Sequence, residues 1–138
     1  MNMTERELIK EAVGAAYEVS NQLGCGFLEK VYERALLKEL SIRGLKVETQ
    51  ASFSVVYKGQ LVGEYFADLV VDARLVVELK CVEKFSNEHL AQCINYLTAS
   101  GLPAALLINF QHAKVQWRYV HPRSLTANHA VRCLPYMK

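Results

Sequence analysis

Two strand-forming segments joined by a short polar turn lie in the middle of the chain, in the sequence FADLVVDARLVVELK of residues 66–80. The Val- and Leu-rich runs predict an antiparallel hairpin with residues 72–74 as its loop. In that register Asp68 faces Glu78, and Lys80 lies two residues further along the same face. The two carboxylates and the lysine therefore converge. The opposite face is apolar and carries Leu69, Val71, Val77 and Leu79.

Two carboxylates that face each other across an apolar sheet normally destabilise it. A divalent cation between them removes the repulsion, and a ligand set made only of oxygens favours magnesium or manganese over zinc. The alternative is an exposed sheet edge at which Lys80 forms a salt bridge with Asp68 or Glu78. The register also has an alternative, because a loop of two or four residues would place the carboxylates on opposite faces, and Arg74 is not the Gly that a three-residue loop prefers. In the register set by a three-residue loop, Phe66 is also predicted to pair with Lys80.

The rest of the chain predicts further elements around this hairpin. A capping box at Thr4–Glu7 begins a helix that ends near residue 23, and a second helix runs from about Leu28 to Gly44. Strands are predicted over 47–57, 61–71, 75–81, 104–110 and 115–120, with a third helix from Ser86 or Asn87 to about Ser100. The stretch from His121 is expected to be irregular, with at most one short helix. This order predicts a layered α/β (α+β) fold, a mixed sheet with an antiparallel meander and flanking helices.

Length and composition predict one domain over residues 1–138. The hydrophobic fraction of 51% excludes disorder, and no apolar stretch approaches the roughly 20 residues of a membrane helix. The N-terminal residues lack the pattern of a signal peptide, so we expect a cytoplasmic protein with reduced cysteines and no membrane partner. Residues 89–138 carry five Lys or Arg and no acid. This asymmetry fits either a surface for a polyanion or a basic tail that only aids solubility.

The pattern D-x9-E-L-K of residues 68–80 resembles the signature of the PD-(D/E)xK nuclease superfamily. The sequence GFLEKVY of residues 26–32 resembles the G-x-x-E-x-x-Y element that names the GxxExxY protein family, a branch assigned to that superfamily. Residues 66–70, 77–80 and 91–97 are similar to that family's other blocks. The resemblance covers about residues 5–120, with Ala67 where the superfamily name has Pro. It implies a restriction-endonuclease-like core and a Mg²⁺- or Mn²⁺-dependent nuclease, a phosphodiester hydrolase that acts on DNA in preference to RNA.

The resemblance also implies roles for individual residues. Asp68 and Glu78 would bind the metal, while Lys80 would position or deprotonate the attacking water. Glu29 would reach the same metal from the start of the second helix. Its alternative role is a simple favourable interaction with the helix N-terminus. Tyr32, one turn later on the same face, is assigned to nucleic-acid contact.

The third helix and the C-terminal part supply the remaining candidates. His89, Gln92 and Tyr96 fall within a sector of about 60° on the helix. Gln92 and Tyr96 resemble the Q-x-x-x-Y motif of RecB-like nucleases, in which the Gln is catalytic and the Tyr contacts nucleic acid, and His89 joins that contact surface. The alternative is an ordinary solvated face. Arg118 and Arg123 are predicted to contact phosphates.

A rival interpretation comes from a different functional class. A module that binds nucleic acid or a protein partner could keep a nuclease fold without catalysis. The presence of Asp68, Glu78 and Lys80 favours the enzyme, because a scaffold without activity has no need of opposed carboxylates. The sequence is compatible with a homodimer or with a protein partner.

Overall fold

The computed structural model describes residues 3–122. Arg123 and most of the stretch predicted to be irregular lie outside the described residues. Within residues 3–122 the elements are α1 (Glu5–Leu23), α2 (Glu29–Ile42), β1 (Val47–Tyr57), β2 (Gln60–Val71), β3 (Leu75–Lys80), α3 (Asn87–Ser100), β4 (Ala104–Asn109) and β5 (Gln116–Val120). Their order confirms the order predicted from the sequence.

The strands form one mixed sheet in the order β1-β2-β3-β4-β5. β3 and β4 are parallel, whereas the other neighbouring pairs are antiparallel. Because parallel neighbours need a crossover connection, α3 links these two strands. The predicted antiparallel meander followed by a crossover helix is therefore confirmed. Among residues 3–122, no helix combines the length and the apolar character needed to cross a membrane.

An apolar core lies on each face of the sheet. α1 and α2 cover one face, where the buried strand residues are Leu69, Val71, Leu75, Val77, Leu79, Leu106 and Ile108. α3 covers the other face and packs on Val70, Val76, Ala105 and Leu107. Side chains alternate along a strand, so Glu78 and Lys80 share the α3 face with Val76. The cores on the two faces therefore fix the direction in which the polar residues of β3 point.

The hairpin of β2 and β3 has the predicted three-residue loop, since residues 69–71 pair with residues 75–77. The ladder ends there. The predicted pairing of Phe66 with Lys80 is wrong, because Phe66 pairs only with Ser52 of β1 and is 53% exposed. β2 thus turns away from β3 just beyond the paired residues.

Contacts from distant parts of the chain hold the loop of this hairpin. Asp72 and Ala73 have φ angles of 50° and 56°, in the left-handed region that L-residues rarely adopt. Asp72 exchanges two hydrogen bonds with the backbone of Lys46, at 2.8 and 3.0 Å. The Arg74 guanidinium donates to the Met3 carbonyl at 2.6 Å. These contacts select the register that brings the carboxylates together.

Candidate active site

Asp68 and Glu78 form a reciprocal pair at the point where β2 and β3 separate. Glu78 Oε2 accepts the backbone N–H of Asp68 at 2.8 Å, and Asp68 Oδ2 accepts the backbone N–H of Leu79 at 2.9 Å. The carboxylates therefore satisfy amides that the interrupted ladder leaves without a backbone partner. Glu78 is only 6% exposed and Asp68 is half-buried. The pair does not lie at an exposed sheet edge.

Burial and the charges of neighbouring carboxylates disfavour the charged forms of both carboxyl groups. Burial raises the pKa of Glu78 to about 8, and the charge of Asp68 contributes to the rise. The pKa of Asp68 is also raised, chiefly by burial, although the hydrogen bond from Leu79 favours its charged form. A positive charge beside the pair would favour ionisation of both groups.

Lys80 supplies a positive charge near the pair without a direct ion pair. Its charge lowers the pKa of Glu78, so the ammonium group lies near that carboxylate. The ion pairs within residues 3–122 do not include Lys80. The structure therefore does not contain the simple salt bridge considered as an alternative. The Lys80 side chain is half-buried.

Glu33 and Gln50, which the sequence interpretation missed, lie beside the pair of Asp68 and Glu78. The Glu33 carboxylate is on α2, and the residue is 8% exposed. It accepts hydrogen bonds from Lys30 Nζ and Gln50 Nε2, both at 3.2 Å. A hydrogen bond from Gln50 also lowers the pKa of Asp68, while the charge of Glu33 raises it. Glu33 follows Glu29 by four residues, and this spacing on one helix face could have identified it.

Gln50 lies in a strained backbone conformation inside β1. Its φ is 50°, and the register of β1 with β2 includes Thr49 and Ala51 but omits Gln50. A residue other than glycine pays a conformational penalty in this region. Such strain is often found at functional sites. β1 is thus distorted at the same level at which β2 and β3 separate.

Glu29, the first residue of α2, lies at the end of β3. Its Oε2 accepts the backbone N–H of Cys81 at 3.0 Å, directly after Lys80. The charge of Glu29 contributes to the raised pKa of Asp68. The structure therefore brings Glu29 to the carboxylate pair, with one carboxylate oxygen engaged by the backbone.

The candidates at the start of α3 lie on the same side of the site. His89 Nδ1 accepts the backbone N–H of Ser86 at 3.1 Å and so completes a capping box. Burial, followed by the charge of Lys80, lowers the pKa of His89, which places its ring near that lysine. Gln92 is exposed. His89 and Gln92 therefore have different surroundings although they share a helix face.

Tyr96, which the motif resemblance assigns to nucleic-acid contact, is buried. Tyr96 is 8% exposed and packs edge-on against Tyr65, with ring centroids 5.2 Å apart. Burial raises its pKa, and the charge of Glu78 adds to the effect. Tyr96 therefore forms part of the apolar wall behind the carboxylate pair.

Tyr32, also assigned to nucleic-acid contact, is buried as well. It is fully buried, its ring stacks on Phe110 at 4.6 Å, and its hydroxyl donates to the Gly24 carbonyl at 2.7 Å. The hydroxyl oxygen also accepts the Phe27 N–H at 3.3 Å. Tyr32 thus fixes the loop before α2.

Arg118 lies on the same sheet face as the pair, although on an edge strand. Glu78 pairs with Leu107, which pairs with Arg118, and directly paired residues point to one face. Two strand spacings separate Arg118 from Glu78 by about 10 Å. Arg118 is exposed, so it can contact a polyanion that extends from the pair.

The donor set at the pair fits a magnesium or manganese ion. Within residues 3–122, no group of three His, Cys, Asp or Glu side chains is arranged to hold a metal by itself. Magnesium is commonly bound through one or two carboxylates, with water and substrate phosphate completing its shell. Asp68 and Glu78 supply two such carboxylates, each with one oxygen outside the reciprocal hydrogen bonds.

Comparisons with known proteins agree with this geometry. A family model described as the PD-(D/E)XK nuclease superfamily matches residues 6–120. The crystal structure of SSO0001 superposes with a TM-score of 0.57 at 17% identity, covering 96% of this chain and 65% of that protein. The chain therefore spans less than two thirds of SSO0001. An alkaline exonuclease (LHK-Exo) from Laribacter hongkongensis superposes with a TM-score of 0.53 at 12% identity, covering 99% of this chain and 80% of that one. Comparison with curated protein sequences gave no match.

The structural similarities establish a shared restriction-endonuclease-like fold. The family match spans nearly all of the described residues, including both carboxylates of the reciprocal pair and Lys80. We conclude that the chain belongs to the PD-(D/E)XK nuclease superfamily.

Proposed function

We propose that this protein is a magnesium- or manganese-dependent nuclease that hydrolyses phosphodiester bonds in DNA. The main support is the buried reciprocal pair of Asp68 and Glu78, with Lys80 beside it. Buried carboxylates with a raised pKa destabilise a fold, and such groups cluster at functional sites. Superfamily membership supplies the reaction class to which this pair is suited.

In this proposal Asp68 and Glu78 hold the cation, and Glu29 adds negative charge from α2. A divalent cation bound there would neutralise charge that develops on the scissile phosphate and would lower the pKa of water. Lys80 orients the attacking water and donates to the phosphate, since its ammonium forms no ion pair within residues 3–122. Gln92, exposed on α3, donates to the same phosphate.

Gln50 and Glu33 act as positioning residues. The Gln50 amide joins the Glu33 carboxylate to Asp68, so it restricts where the Asp68 side chain points. Gln50 makes this contact from the left-handed conformation. The strain is consistent with selection for a fixed carboxylate geometry, because precise positioning contributes strongly to catalysis.

We further propose that the chain belongs to the GxxExxY branch, because each residue of that motif has a defined place. Gly26 has a φ of 109°, which a side chain would oppose. Glu29 reaches the end of β3, and Tyr32 fixes the preceding loop. The choice of DNA over RNA rests on the motif resemblance, and a cytoplasmic location stays a prediction.

A cleavage panel tests the proposed function. Branched, single-stranded and duplex substrates of DNA and RNA are incubated with magnesium, manganese or a chelator. We expect cleavage of DNA that requires the cation and that falls at least about 100-fold in Glu78→Gln. Glu48→Gln is the matched control, because it makes the same change at an exposed position of β1.

Two results would contradict the proposal. One is cleavage by Glu78→Gln at the rate of the unaltered protein. The other is binding of nucleic acid by folded protein with no cleavage of any substrate under any metal condition. That second result would identify a binding module that retains a nuclease fold.

A further inference from the structure

A groove at the exposed edge of the sheet lies outside the residues assigned to the reaction, except for Arg118. It is lined by Lys84, Phe85, Val115, Gln116, Trp117 and Arg118 and encloses about 510 Å³. Two residues with cationic side chains and two aromatic residues therefore border one groove at the sheet edge. Trp117 is 41% exposed although it is the largest side chain in the strand.

The buried side-chain amide of Asn109 connects the two walls of this groove. Asn109 is fully buried at the end of β4, and its side chain exchanges hydrogen bonds with the Val82 backbone at 2.7 and 3.1 Å. Its Nδ2 also donates to Gln116 Oε1 at 3.3 Å. The loop that carries Lys84 is thereby tied to the strand that carries Trp117. These hydrogen bonds therefore fix the position of one wall of the groove relative to the other.

The same register connects the groove to the candidate active site. Lys80 pairs with Asn109, and Asn109 pairs with Gln116. Gln116 therefore lies two strand spacings, about 10 Å, from Lys80. Phe85, which also lines the groove, packs edge-on against the His89 ring, with ring centroids 6.4 Å apart. A ligand chain of modest length can therefore occupy the site and the groove together.

We propose that this groove binds an unpaired nucleotide of a single-stranded nucleic acid adjacent to the bond that is cut. The base stacks on Trp117, and the flanking phosphates contact Lys84 and Arg118. This assignment rests on the proposed nuclease function and adds the strandedness of its substrate. Trp117 and Arg118 are successive residues on an edge strand, so they reach opposite sides of it. A nucleic-acid strand that crosses the edge of β5 meets the Trp117 ring on one side and the Arg118 guanidinium on the other.

Charge and chemistry both favour this occupant. Residues 89–138 carry no acid, so β5 and the segment before it present only positive charge to a ligand. Aromatic rings combined with basic side chains are typical of surfaces for single-stranded nucleic acid. In an intact duplex the faces of the bases are covered by stacking. A blunt duplex therefore offers no exposed base on which Trp117 can stack.

The chain offers a direct probe, because Trp117 is its single tryptophan. Oligo(dT) and oligo(rU) are titrated into the full protein without divalent cation, and the tryptophan fluorescence is recorded. We expect saturable quenching by at least one of these single strands, and the comparison shows which sugar is preferred. A blunt duplex and an abasic strand of equal length should produce little quenching.

Variants separate stacking from charge, with binding followed by the anisotropy of a labelled oligonucleotide. Trp117→Leu should weaken binding of the base-bearing strand about 10-fold but leave binding of the abasic strand unchanged. Trp117→Phe should restore part of the affinity, whereas Arg118→Gln should reduce the salt slope by about 0.7. Lys58→Gln, at the distant turn between β1 and β2, is the control for lost charge.

Equal quenching by the blunt duplex and the abasic strand would overturn the stacking proposal. So would tight binding of oligo(dT) and oligo(rU) with unchanged fluorescence. Failure of the nuclease function is distinguishable from either result. In that case the single strand still quenches Trp117, but no divalent cation supports cleavage.

Discussion

Replacing Glu78 by Gln should remove most of the pH dependence of stability of the metal-free protein. Glu78 is buried and its pKa is raised to about 8, first by burial and then by Asp68. The glutamine amide oxygen can still accept the Asp68 N–H that Glu78 accepts at 2.8 Å. The substitution therefore removes the charge while it preserves the hydrogen bond. We expect the variant to be more stable than the unaltered protein above about pH 7 when no divalent cation is present.

The sign and size follow from proton linkage. Between pH 4.5 and about pH 8 the unfolded chain releases the Glu78 proton and the folded chain retains it. The free energy of unfolding therefore falls as the pH rises through this range, and the stabilisation is complete only below pH 4.5. Each unit of pKa shift corresponds to about 1.36 kcal/mol, so the total fall is on the order of 3–5 kcal/mol.

Urea unfolding in a chelator at several values between pH 5 and pH 9 measures this effect. The unaltered protein should lose stability across the range, and Glu78→Gln should lose much less. Magnesium should restore stability to the unaltered protein at pH 8 but have little effect on Glu78→Gln. Glu48→Gln, exposed on β1, should follow the unaltered protein. A parallel pH profile in Glu78→Gln and the unaltered protein would refute the assignment of a buried, protonated Glu78.

Three further predictions concern other residues of the cluster and its support. Lys80→Ala should bind nucleic acid and melt normally with saturating magnesium but lose most of its cleavage rate, and a low melting temperature under those conditions would show a structural role. Gln50→Gly should be more stable than Gln50→Ala by about 1 kcal/mol, because glycine accepts the left-handed conformation. Neither variant should retain normal cleavage, and normal cleavage by Gln50→Gly would exclude the side chain from positioning. Tyr32→Phe should lower the free energy of unfolding by about 1–2 kcal/mol through loss of the hydroxyl bond to Gly24, while an unchanged Kd for oligonucleotide would confirm that Tyr32 lies outside the binding surface.

Most of the fold was predictable because local signals and hydrophobic periodicity agree. The Thr4 capping box begins α1 as expected, with hydrogen bonds of 2.7 and 3.1 Å between Thr4 and Glu7. Ser86 caps α3 in the same manner. Leu69, Val71, Val77 and Leu79, predicted to form one apolar face, all lie in the core beneath α1 and α2. Each of these features depends on residues close together in sequence.

The loop of the central hairpin shows where such prediction reaches its limit. Arg74 does not favour a three-residue loop, and the sequence left the register open. The register is fixed by Asp72 with Lys46 and by Arg74 with Met3, pairs separated by 26 and 71 residues. Long-range hydrogen bonds of this kind leave no periodic signal in the sequence.

The surroundings of the candidate site were hard to predict for a related reason. Tyr32 and Tyr96 lie in segments that resemble nuclease motifs, but the resemblance does not reveal whether a side chain is buried. Phe110 and Tyr65, from other elements, bury them. Gln50 was missed because its role depends on a strained backbone conformation inside an otherwise ordinary strand. Glutamine is not a residue that favours positive φ, so composition could not indicate it.

The location of the carboxylate pair is explained by interruptions in strand pairing. The pairing of β1 with β2 and that of β2 with β3 are both interrupted at the same level of the sheet. Gln50 is omitted from the pairing of β1 with β2, and β2 pairs with β3 only as far as Leu69. The N–H groups of Asp68 and Leu79 would be left without partners at this interruption, and the two carboxylates accept them. Because the acidic side chains replace ladder hydrogen bonds, they stabilise the opening that gives them space. Removing either carboxylate oxygen acceptor should therefore disturb strand separation as well as chemistry, whereas Asn and Gln replacements keep the acceptors and isolate the contribution of charge.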